Sequence, residues 1–356
     1  MKKDILAAIL SISGKKLTDD EKFLFEKHNP AGVTLFGWNI DNKNQIKNLI
    51  KEIKEVIGRD DVIISIDQEG GRVRRLTPPE FRPYAAHIEI ASLPAKKAIK
   101  AARLHTELIS SDLHELGINV NFAPCLDILH HDTTEALKSR CFSNDVNITA
   151  TLGKTMVDTY IKNGIIPCIK HLPGLGSVSG DPHLSLPLTN LSEKDFENEL
   201  LPFKNCNHSP LAMTAHMIIP FLEKDTPLTQ SKKGIKELIR NKIGFEGFLI
   251  SDAIDMHALS GTLTQKVLKS LEAGCDCICY SLGNIKELQE VCKACPKLSD
   301  EAQQRLDKAL QILHNKKEIT DIKSKSDEYS KLMGSITPYK ESYDATEVLH
   351  KLQLKE

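Results

Sequence analysis

The chain has 356 residues, of which 40% are hydrophobic, so it can bury one large core, and its formal net charge is −1. Because this charge gives no global basic field and no dense basic cluster occurs, nucleic acids and anionic lipid surfaces are excluded as main partners. The nine cysteines are odd in number and scattered, which argues against a disulfide framework and favours a reducing compartment, the cytoplasm.

The amino-terminal residues combine lysines with a short apolar run, as a signal peptide does. Asp4 interrupts that run, and the small residues Ser11 and Ser13 overlap its end instead of following it. We therefore expect a first β-strand here. No stretch approaches the roughly twenty apolar residues of a membrane helix, so we expect a soluble protein with no membrane partner. No apolar run is evidently exposed, which favours a monomer.

Apolar runs rich in Val, Ile and Phe recur along the chain and predict eight strands. These runs are Leu6 to Ile12, Gly32 to Phe36, Val62 to Asp67, Ile118 to Ala123, Ile165 to Lys170, Leu211 to His216, Phe248 to Asp252 and Asp276 to Tyr280. Segments with helical spacing or composition lie between them: Thr18 to His28, Asn42 to Ile57, Lys96 to Leu116, Asn147 to Asn163, Glu193 to Cys206, Lys232 to Ile243, Leu263 to Ala273 and Ile285 to Cys295.

Continuous apolar strands that alternate with helices are typical of a parallel sheet covered by helices. The sequence therefore predicts a single-domain α/β fold, a closed (β/α)₈ TIM barrel, over residues 1–315. A charged and weakly periodic peripheral extension over residues 316–356 is expected to follow it.

Ionisable residues gather at the carboxyl ends of the predicted strands, where barrels of this kind carry their active sites. They are Asp67, Lys170, His171, His216 and Asp252. A single one would be explained as a satisfied core residue, but buried strands tolerate few unpaired ionisable groups. Their concentration at one rim therefore predicts a functional site.

A glycine-rich loop follows the fifth predicted strand in the motif Lys170-His171-Leu172-Pro173-Gly174-Leu175-Gly176. Its glycines allow a sharp turn, and the loop continues to Asp181-Pro182-His183. A carboxylate two residues from an imidazole can orient that ring and favour its charged form. The sequence therefore predicts that Asp181 and His183 act as a pair.

Asp252 ends the seventh predicted strand, and a carboxylate on a rigid strand can attack an electrophilic carbon or bind a metal. We prefer the nucleophile, because Lys170, Arg75 and Arg140 are expected nearby and fixed cations disfavour a bound cation. We expect no metal and no cofactor. Asp255 is a rival nucleophile, and its alternative role is that of a carboxylate at a helix start.

The motif Asp67-Gln68-Glu69-Gly70-Gly71-Arg72-Val73-Arg74-Arg75 offers a carboxylate that can accept hydrogen bonds from vicinal hydroxyls. We expect two of its three arginines to be solvated or paired with Glu69. Arg140 lies on the long loop after the fourth predicted strand, and by itself it carries little weight. The cysteines from Cys275 to Cys295 are expected in packed core and not at a zinc site.

Taken together, the chain resembles the single-domain β-N-acetylglucosaminidases of glycoside hydrolase family 3. The resemblance runs from about Ala31 to Ala273. It rests on Gly32-Val33-Thr34-Leu35-Phe36, the Asp67 motif, Phe122-Ala123-Pro124, the Lys170 to His183 block, Met213-Thr214-Ala215-His216 and Ser251-Asp252.

The resemblance implies that Asp252 is the nucleophile, His183 the acid/base and Asp181 its partner. The residues expected to bind the terminal N-acetylglucosamine are Asp67, Arg75, Arg140, Lys170 and His171, and we place His216 with them. Bacterial cytoplasmic members of the family act in cell-wall recycling. A retaining hydrolase that removes β-linked N-acetylglucosamine from 1,6-anhydro-muropeptides is therefore implied, with a small carbohydrate or muropeptide as its partner.

Two positions depart from the family pattern. Leu175 stands where a histidine is common, and Pro182 stands where a serine is common. We expect Pro182 to stiffen the loop and slow turnover relative to serine. Two alternatives stay open: a barrel aldolase that uses Lys170 as a Schiff-base amine, and a non-catalytic sugar-binding relative.

Overall fold

The computed structural model describes residues 4–179, 186–315 and 319–337, together with residues 346 and 350. Asp181 and His183 lie outside the described residues. Eight parallel strands close into a barrel in which strands that follow each other in sequence are neighbours. They are β1 Leu6–Leu10, β2 Pro30–Leu35, β3 Ile63–Ile66, β4 Val120–Asn121, β5 Ile166–Leu172, β6 Leu211–Thr214, β7 Phe248–Ala253 and β8 Cys277–Tyr280. The predicted (β/α)₈ barrel is confirmed.

Most helices cover the outside of the barrel, and all the predicted ones are present. They are α1 Asp19–His28, α2 Lys43–Ile57, α3 His87–Ala91, α4 Ala95–Leu116, α5 Glu135–Lys138, α6 Val146–Lys162, α7 Glu193–Asn205, α8 Lys232–Gly234, α9 Leu263–Ala273, α10 Ile285–Ala294, α11 Asp300–Leu310 and α12 Ile322–Met333. A π-helical stretch, Ile235–Lys242, continues α8. The 3₁₀ turns are Gly37–Asn39, Leu228–Gln230 and Gln311–Asn315.

The strand β4 is much shorter than the run from Ile118 to Ala123 predicts. Asn119 bonds to the neighbouring strand with its side chain, accepting from Ile64 N at 2.8 Å and donating to Val62 O at 2.8 Å. Pro124 has no N–H to offer a ladder. The assigned strand is limited to Val120 and Asn121, and single backbone bonds flank it, from Asn119 N–H to Ile64 O at 3.1 Å and from Phe122 N–H to Ile66 O at 2.9 Å.

Helix α11 was not predicted, and it seals the amino-terminal end of the barrel. Its residues Ala302, Leu306 and Ala309 are buried in one cluster with interior residues at that end, which include Ile5 and Phe248. Two ion pairs fix this floor, since Asp276 just before β8 bonds Arg305 at 2.6 Å and Arg240 at 3.0 Å. The active-site end is therefore the opposite one.

A short antiparallel pair, Val178–Ser179 with Leu188–Thr189, flanks the residues that carry the predicted Asp181 and His183. The nine cysteines are all free and buried. Over the described ranges, no helix combines the length and apolar composition needed to cross a bilayer.

Candidate active site

The barrel brings the predicted rim residues to one end of the sheet. Asp67 follows β3, Lys170 and His171 belong to β5, and Asp252 belongs to β7. Burial raises the pKa of the Cys168 thiol on β5, and the charges of Lys170, Asp67 and Asp252 also act on that thiol. Because Asp67, Lys170 and Asp252 stand at the carboxyl ends of parallel barrel strands, these three side chains belong to the same end of the barrel.

The Lys170 ammonium is the centre of the charge cluster. Its Nζ lies 2.7 Å from Asp67 Oδ1 and 2.7 Å from Glu69 Oε1. Arg75 donates to the other oxygen of Asp67 at 3.2 Å. The Lys170 side chain is buried, whereas the Asp67 side chain is 15% exposed to solvent. Asp67 is thus a carboxylate fixed by two cations and still open towards the barrel mouth.

Glu69 joins this cluster to Arg140. The Arg140 guanidinium donates to the two Glu69 oxygens at 2.8, 3.0 and 3.2 Å. Burial alone would raise the Glu69 pKa, but Arg140 and Lys170 outweigh burial and hold that pKa well below its usual range. Glu69 is therefore a permanent carboxylate. Sequence reasoning missed this role, although two buried cations at the rim, Lys170 and Arg140, require counter-charges.

The charge state of Lys170 bears on the aldolase alternative. Burial would lower its pKa, but the charges of Asp67 and Glu69 outweigh burial and raise the pKa above its usual value. A Schiff-base lysine must be neutral to attack a carbonyl. A permanently charged Lys170 is therefore suited to binding, and the geometry argues against an aldolase.

His171 is held between Arg140 and Asp127. Its Nδ1 lies 2.7 Å from Asp127 Oδ2, and Arg140 Nη2 lies 3.3 Å from its Nε2. Because a guanidinium can only donate, Nε2 is the acceptor and Nδ1 carries the proton that it donates to Asp127. Both contacts thus define one tautomer and one orientation of the ring.

Asp127 is a site residue that the sequence did not single out. It accepts a backbone N–H from Leu175 at 2.7 Å and lies 3.1 Å from the Cys125 thiol. Burial alone would raise the Asp127 pKa, but the adjacent His171 imidazole and the hydrogen bonds to the carboxylate hold that pKa below its usual value. Asp127 lies three residues after the Phe122-Ala123-Pro124 motif, which was the signal available in the sequence.

Leu175, which stands where the family commonly has a histidine, lies in the core. The Leu175 side chain is buried, and the polar contact of this position comes from its backbone N–H. Gly176 is required here, because a Cβ would lie 1.8 Å from the carbonyl oxygen of Ile128. The loop therefore supports His171 through its main chain.

The two candidate nucleophiles have different environments. Asp252 is partly exposed, and its Oδ1 accepts the N–H of Ala253 at 2.8 Å. Asp255 is partly buried as well, but its carboxylate accepts both the Ser281 N–H at 2.8 Å and the Ser281 hydroxyl at 2.5 Å. Asp255 is thus committed to the loop after β8, which favours Asp252 as the group that meets a substrate.

The other predicted residues have mainly supporting contacts. His216 is fully buried, donates from Nε2 to the Ala253 carbonyl at 3.0 Å and lies 2.8 Å from the Thr229 hydroxyl. It therefore contacts the backbone beside Asp252. Arg72 donates to the Glu135 carbonyl at 2.8 Å, and Arg74 donates to the Gly71 carbonyl.

Cys125, Asp127 and His171 place a thiol, a carboxylate and an imidazole within 4.8 Å of one another. These atoms already hydrogen-bond to one another. The Arg140 cation beside His171 also opposes a bound metal ion. The hydrogen bonds among these three side chains account for their close approach.

A closed (β/α)₈ barrel with carboxylates and cations at the carboxyl end of its strands has the architecture of a barrel enzyme. The family model described as Glycosyl hydrolase family 3 N terminal domain matches residues 4–315. The chain belongs to glycoside hydrolase family 3, and it is a glycosidase.

Curated relatives are similar over most of their length. A beta-hexosaminidase of Haemophilus influenzae is 30% identical over 274 residues, which are 75% of this chain and 77% of that protein. A beta-hexosaminidase of Psychromonas ingrahamii is 30% identical over 276 residues, or 76% of this chain and 81% of that protein.

A solved structure also has the same fold. It is NagZ from Neisseria gonorrhoeae in complex with N-trifluoroacetyl-D-glucosamine, with a TM-score of 0.83 and 25% identity. The alignment covers 93% of this chain and 99% of NagZ. The resemblance inferred from the motifs is therefore confirmed.

Proposed function

We propose that this enzyme removes a terminal, non-reducing β-linked N-acetylglucosamine and retains the configuration of its anomeric carbon. The observation that carries the proposal is the pairing of Asp67 with Lys170 and Arg75 on the same rim as Asp252. The names of the similar beta-hexosaminidases support the N-acetylated sugar.

The charge cluster is suited to hold a sugar. The Asp67 carboxylate can accept hydrogen bonds from two vicinal hydroxyls, because Lys170 and Arg75 fix its orientation. His171 and Arg140 supply further polar atoms on the same rim. We propose that these five residues bind the terminal sugar ring, with His216 as a support of the strand that carries Asp252.

Two displacements at one carbon would follow. An oxygen of Asp252 forms a bond to the anomeric carbon while the glycosidic C–O bond breaks, and His183 gives its proton to the leaving oxygen. His183 then takes a proton from water, the resulting hydroxide attacks the anomeric carbon, and the bond to Asp252 breaks. Asp181 orients His183, whose imidazole titrates near neutrality without burial. Inversion at each step gives net retention.

The compartment, the oligomeric state and the natural substrate are also part of the proposal. We propose that residues 1–315 form the catalytic barrel and that the enzyme acts as a cytoplasmic monomer on 1,6-anhydro-muropeptides during peptidoglycan recycling. The implied family role supports this assignment, and the free, buried cysteines are compatible with a reducing compartment.

The test compares hydrolysis of an aryl N-acetylglucosaminide and an aryl glucoside by the wild type, Asp252→Asn and His183→Ala. The wild type should prefer the N-acetylated substrate, and both variants should lose at least a hundredfold in kcat/KM. A fluorinated sugar should be trapped on Asp252. A wild type without turnover would favour a non-catalytic sugar-binding protein, and borohydride trapping at Lys170 would favour the aldolase.

A further inference from the structure

The described part of the chain beyond residue 315 lies outside the family match and packs against the barrel wall. Helix α12 lies along α4, where Lys325 pairs with Glu107 and Lys100 pairs with Glu328. The Lys100–Glu328 pair is exposed and contributes little to stability, whereas the Lys325–Glu107 pair is partly buried. The Tyr329 side chain of the same helix is buried, so it is the contact that needs an explanation.

Tyr329 begins a chain of hydrogen bonds that ends at the charge cluster. Its hydroxyl accepts the N–H of Ala85 at 3.1 Å and lies 2.9 Å from His105 Nδ1. The other ring nitrogen of His105 lies 2.9 Å from the carbonyl oxygen of Glu69. The carboxylate of that same Glu69 pairs with Lys170 and Arg140.

The direction of each hydrogen bond is fixed. Burial lowers the pKa of His105 to about 3, so the ring is neutral. A carbonyl oxygen can only accept, so Nε2 carries the proton and donates to Glu69. Nδ1 is then an acceptor, and the Tyr329 hydroxyl must donate to it. The Tyr329 hydroxyl and both ring nitrogens of His105 therefore all have hydrogen-bond partners.

The backbone of the Asp67 motif is pressed against this chain. A Cβ at Gly70 would lie 2.3 Å from the Ala85 carbonyl oxygen and 2.9 Å from His105 Cε1. The next residue, Gly71, donates its N–H to the Tyr84 carbonyl at 2.8 Å. Because the contact is so close, a shift of His105 or Ala85 must move Glu69 and its neighbours.

A second contact of the same segment reaches the other side of the motif. The His350 ring stacks on Trp38 with centroids 3.9 Å apart, and Trp38 stacks on Phe36 at 4.4 Å. The Arg75 guanidinium lies over Phe36 at 5.1 Å. His350 also donates from Nδ1 to the Leu282 carbonyl at 2.9 Å. His350 is thus fixed at the end of β8 and supports the arginine that holds Asp67.

We propose that α12 and His350 position the sugar site, in which Tyr329 holds Glu69 through His105 and His350 holds Arg75 through Trp38 and Phe36. The proposal deepens the proposed function and rests on it. Tyr329 and His350 are positioning residues, since they act on the sugar through the Asp67 motif.

The first test compares Tyr329→Phe with Lys325→Ala. Tyr329→Phe leaves Ala85 N–H and His105 Nδ1 unpaired, and we expect KM for an aryl N-acetylglucosaminide to rise about tenfold while kcat stays within about twofold. Lys325→Ala breaks a partly buried ion pair of the same helix and leaves the Tyr329 hydrogen bonds in place, so KM should stay unchanged. A purely structural role would lower the active fraction, and hence kcat, at an unchanged KM, and that result would overturn the proposal.

The second test compares His105→Gln with His105→Leu. A glutamine side chain keeps one N–H donor and one acceptor, so it should restore a KM close to that of the wild type. Leucine keeps neither, and its KM should match that of Tyr329→Phe. Equal KM values for the two variants would contradict the relay. His350→Phe keeps the stacking on Trp38, so its KM should be lower than that of His350→Ala.

Hydrogen exchange separates this proposal from the proposed function. In Tyr329→Phe, amides in residues 67–76 should exchange about tenfold faster, and in Lys325→Ala they should not. This readout needs no turnover. An inactive wild type would refute the proposed function, whereas unchanged exchange in Tyr329→Phe would refute the positioning role.

Discussion

The Asp127 carboxylate and the His171 imidazole are joined by a hydrogen bond of 2.7 Å, and both side chains are buried. The two residues lie 44 positions apart in sequence, on the loop after β4 and on β5. Asp127 also accepts the Leu175 N–H, so one carboxylate fixes both the ring and the loop that continues to His183.

Asp127→Asn should therefore weaken both contacts. An amide nitrogen would face the N–H groups of His171 or Leu175, which leaves a buried donor without an acceptor. We expect a loss of about 3 kcal/mol in the free energy of unfolding and at least a hundredfold loss in kcat/KM. Chemical denaturation and steady-state kinetics measure the two effects. Asp158→Asn, which changes an exposed carboxylate paired with Lys154, should cost less than about 1 kcal/mol.

Gly176→Ala should act on the same loop through its backbone. The new Cβ would meet the Ile128 carbonyl at 1.8 Å, so the loop must move away from Asp127. We expect about 2–4 kcal/mol of destabilisation, measured by thermal unfolding, and a marked fall in kcat. Gly14→Ala is the matched control, because no atom of the described residues, its chain neighbours aside, lies within 4 Å of a Cβ added there. Equal effects of the two substitutions would show that the Ile128 contact is not limiting.

The two aspartates of β7 and its following loop should separate chemistry from structure. Asp252→Asn removes the proposed nucleophile at a partly exposed position, so turnover should fall at least a thousandfold with little change in stability. Asp255→Asn disturbs the two bonds from Ser281, so it should cost about 1–2 kcal/mol of stability and less than tenfold in turnover. Kinetics and unfolding on both variants decide the assignment, and the reverse pattern would make Asp255 the nucleophile.

Two buried histidines should make stability depend on pH. Burial lowers the pKa of His87 to about 4 and that of His105 to about 3, against 6.5 for an ordinary histidine. Between pH 6.5 and pH 4 the unfolded chain binds protons at these positions and the folded chain does not, so stability falls as the pH falls. Each histidine contributes a slope of about 1.4 kcal/mol per pH unit.

His105→Gln removes one of these titrating groups and keeps its hydrogen bonds. The difference in unfolding free energy between this variant and the wild type should therefore shift by about 2.3 kcal/mol, in favour of the variant, from pH 6.5 to pH 4.5. Denaturant titrations at the two pH values measure it. If the difference in unfolding free energy between the variant and the wild type is the same at both pH values, His105 is protonated in the folded protein.

Most of the fold was predictable because barrel strands, buried on both faces, read as continuous apolar runs separated by helices. Helix α11 has the same amphipathic pattern as any covering helix, and the sequence gives no sign that its apolar face closes the barrel floor. The short β4 depends on the Asn119 side chain, whose bonds cross to β3. Such contacts cannot be read from a local pattern.

The site was predictable where strand ends alone place a residue, as for Asp67, Lys170 and Asp252. Glu69 and Asp127 were missed because their partners come from distant elements, and Arg140 is 71 positions from Glu69. The roles of Asp181 and His183 stay predictions, since both lie outside the described residues.

The stacking of His350 on Trp38 joins the second βα unit to a residue far beyond the eighth strand. During synthesis, a ribosome must therefore add about seventy residues after β8 before this stack can form. On the proposed positioning role, a chain that ends before His350 lacks the support of Arg75, and it should bind the sugar more weakly than the full chain does.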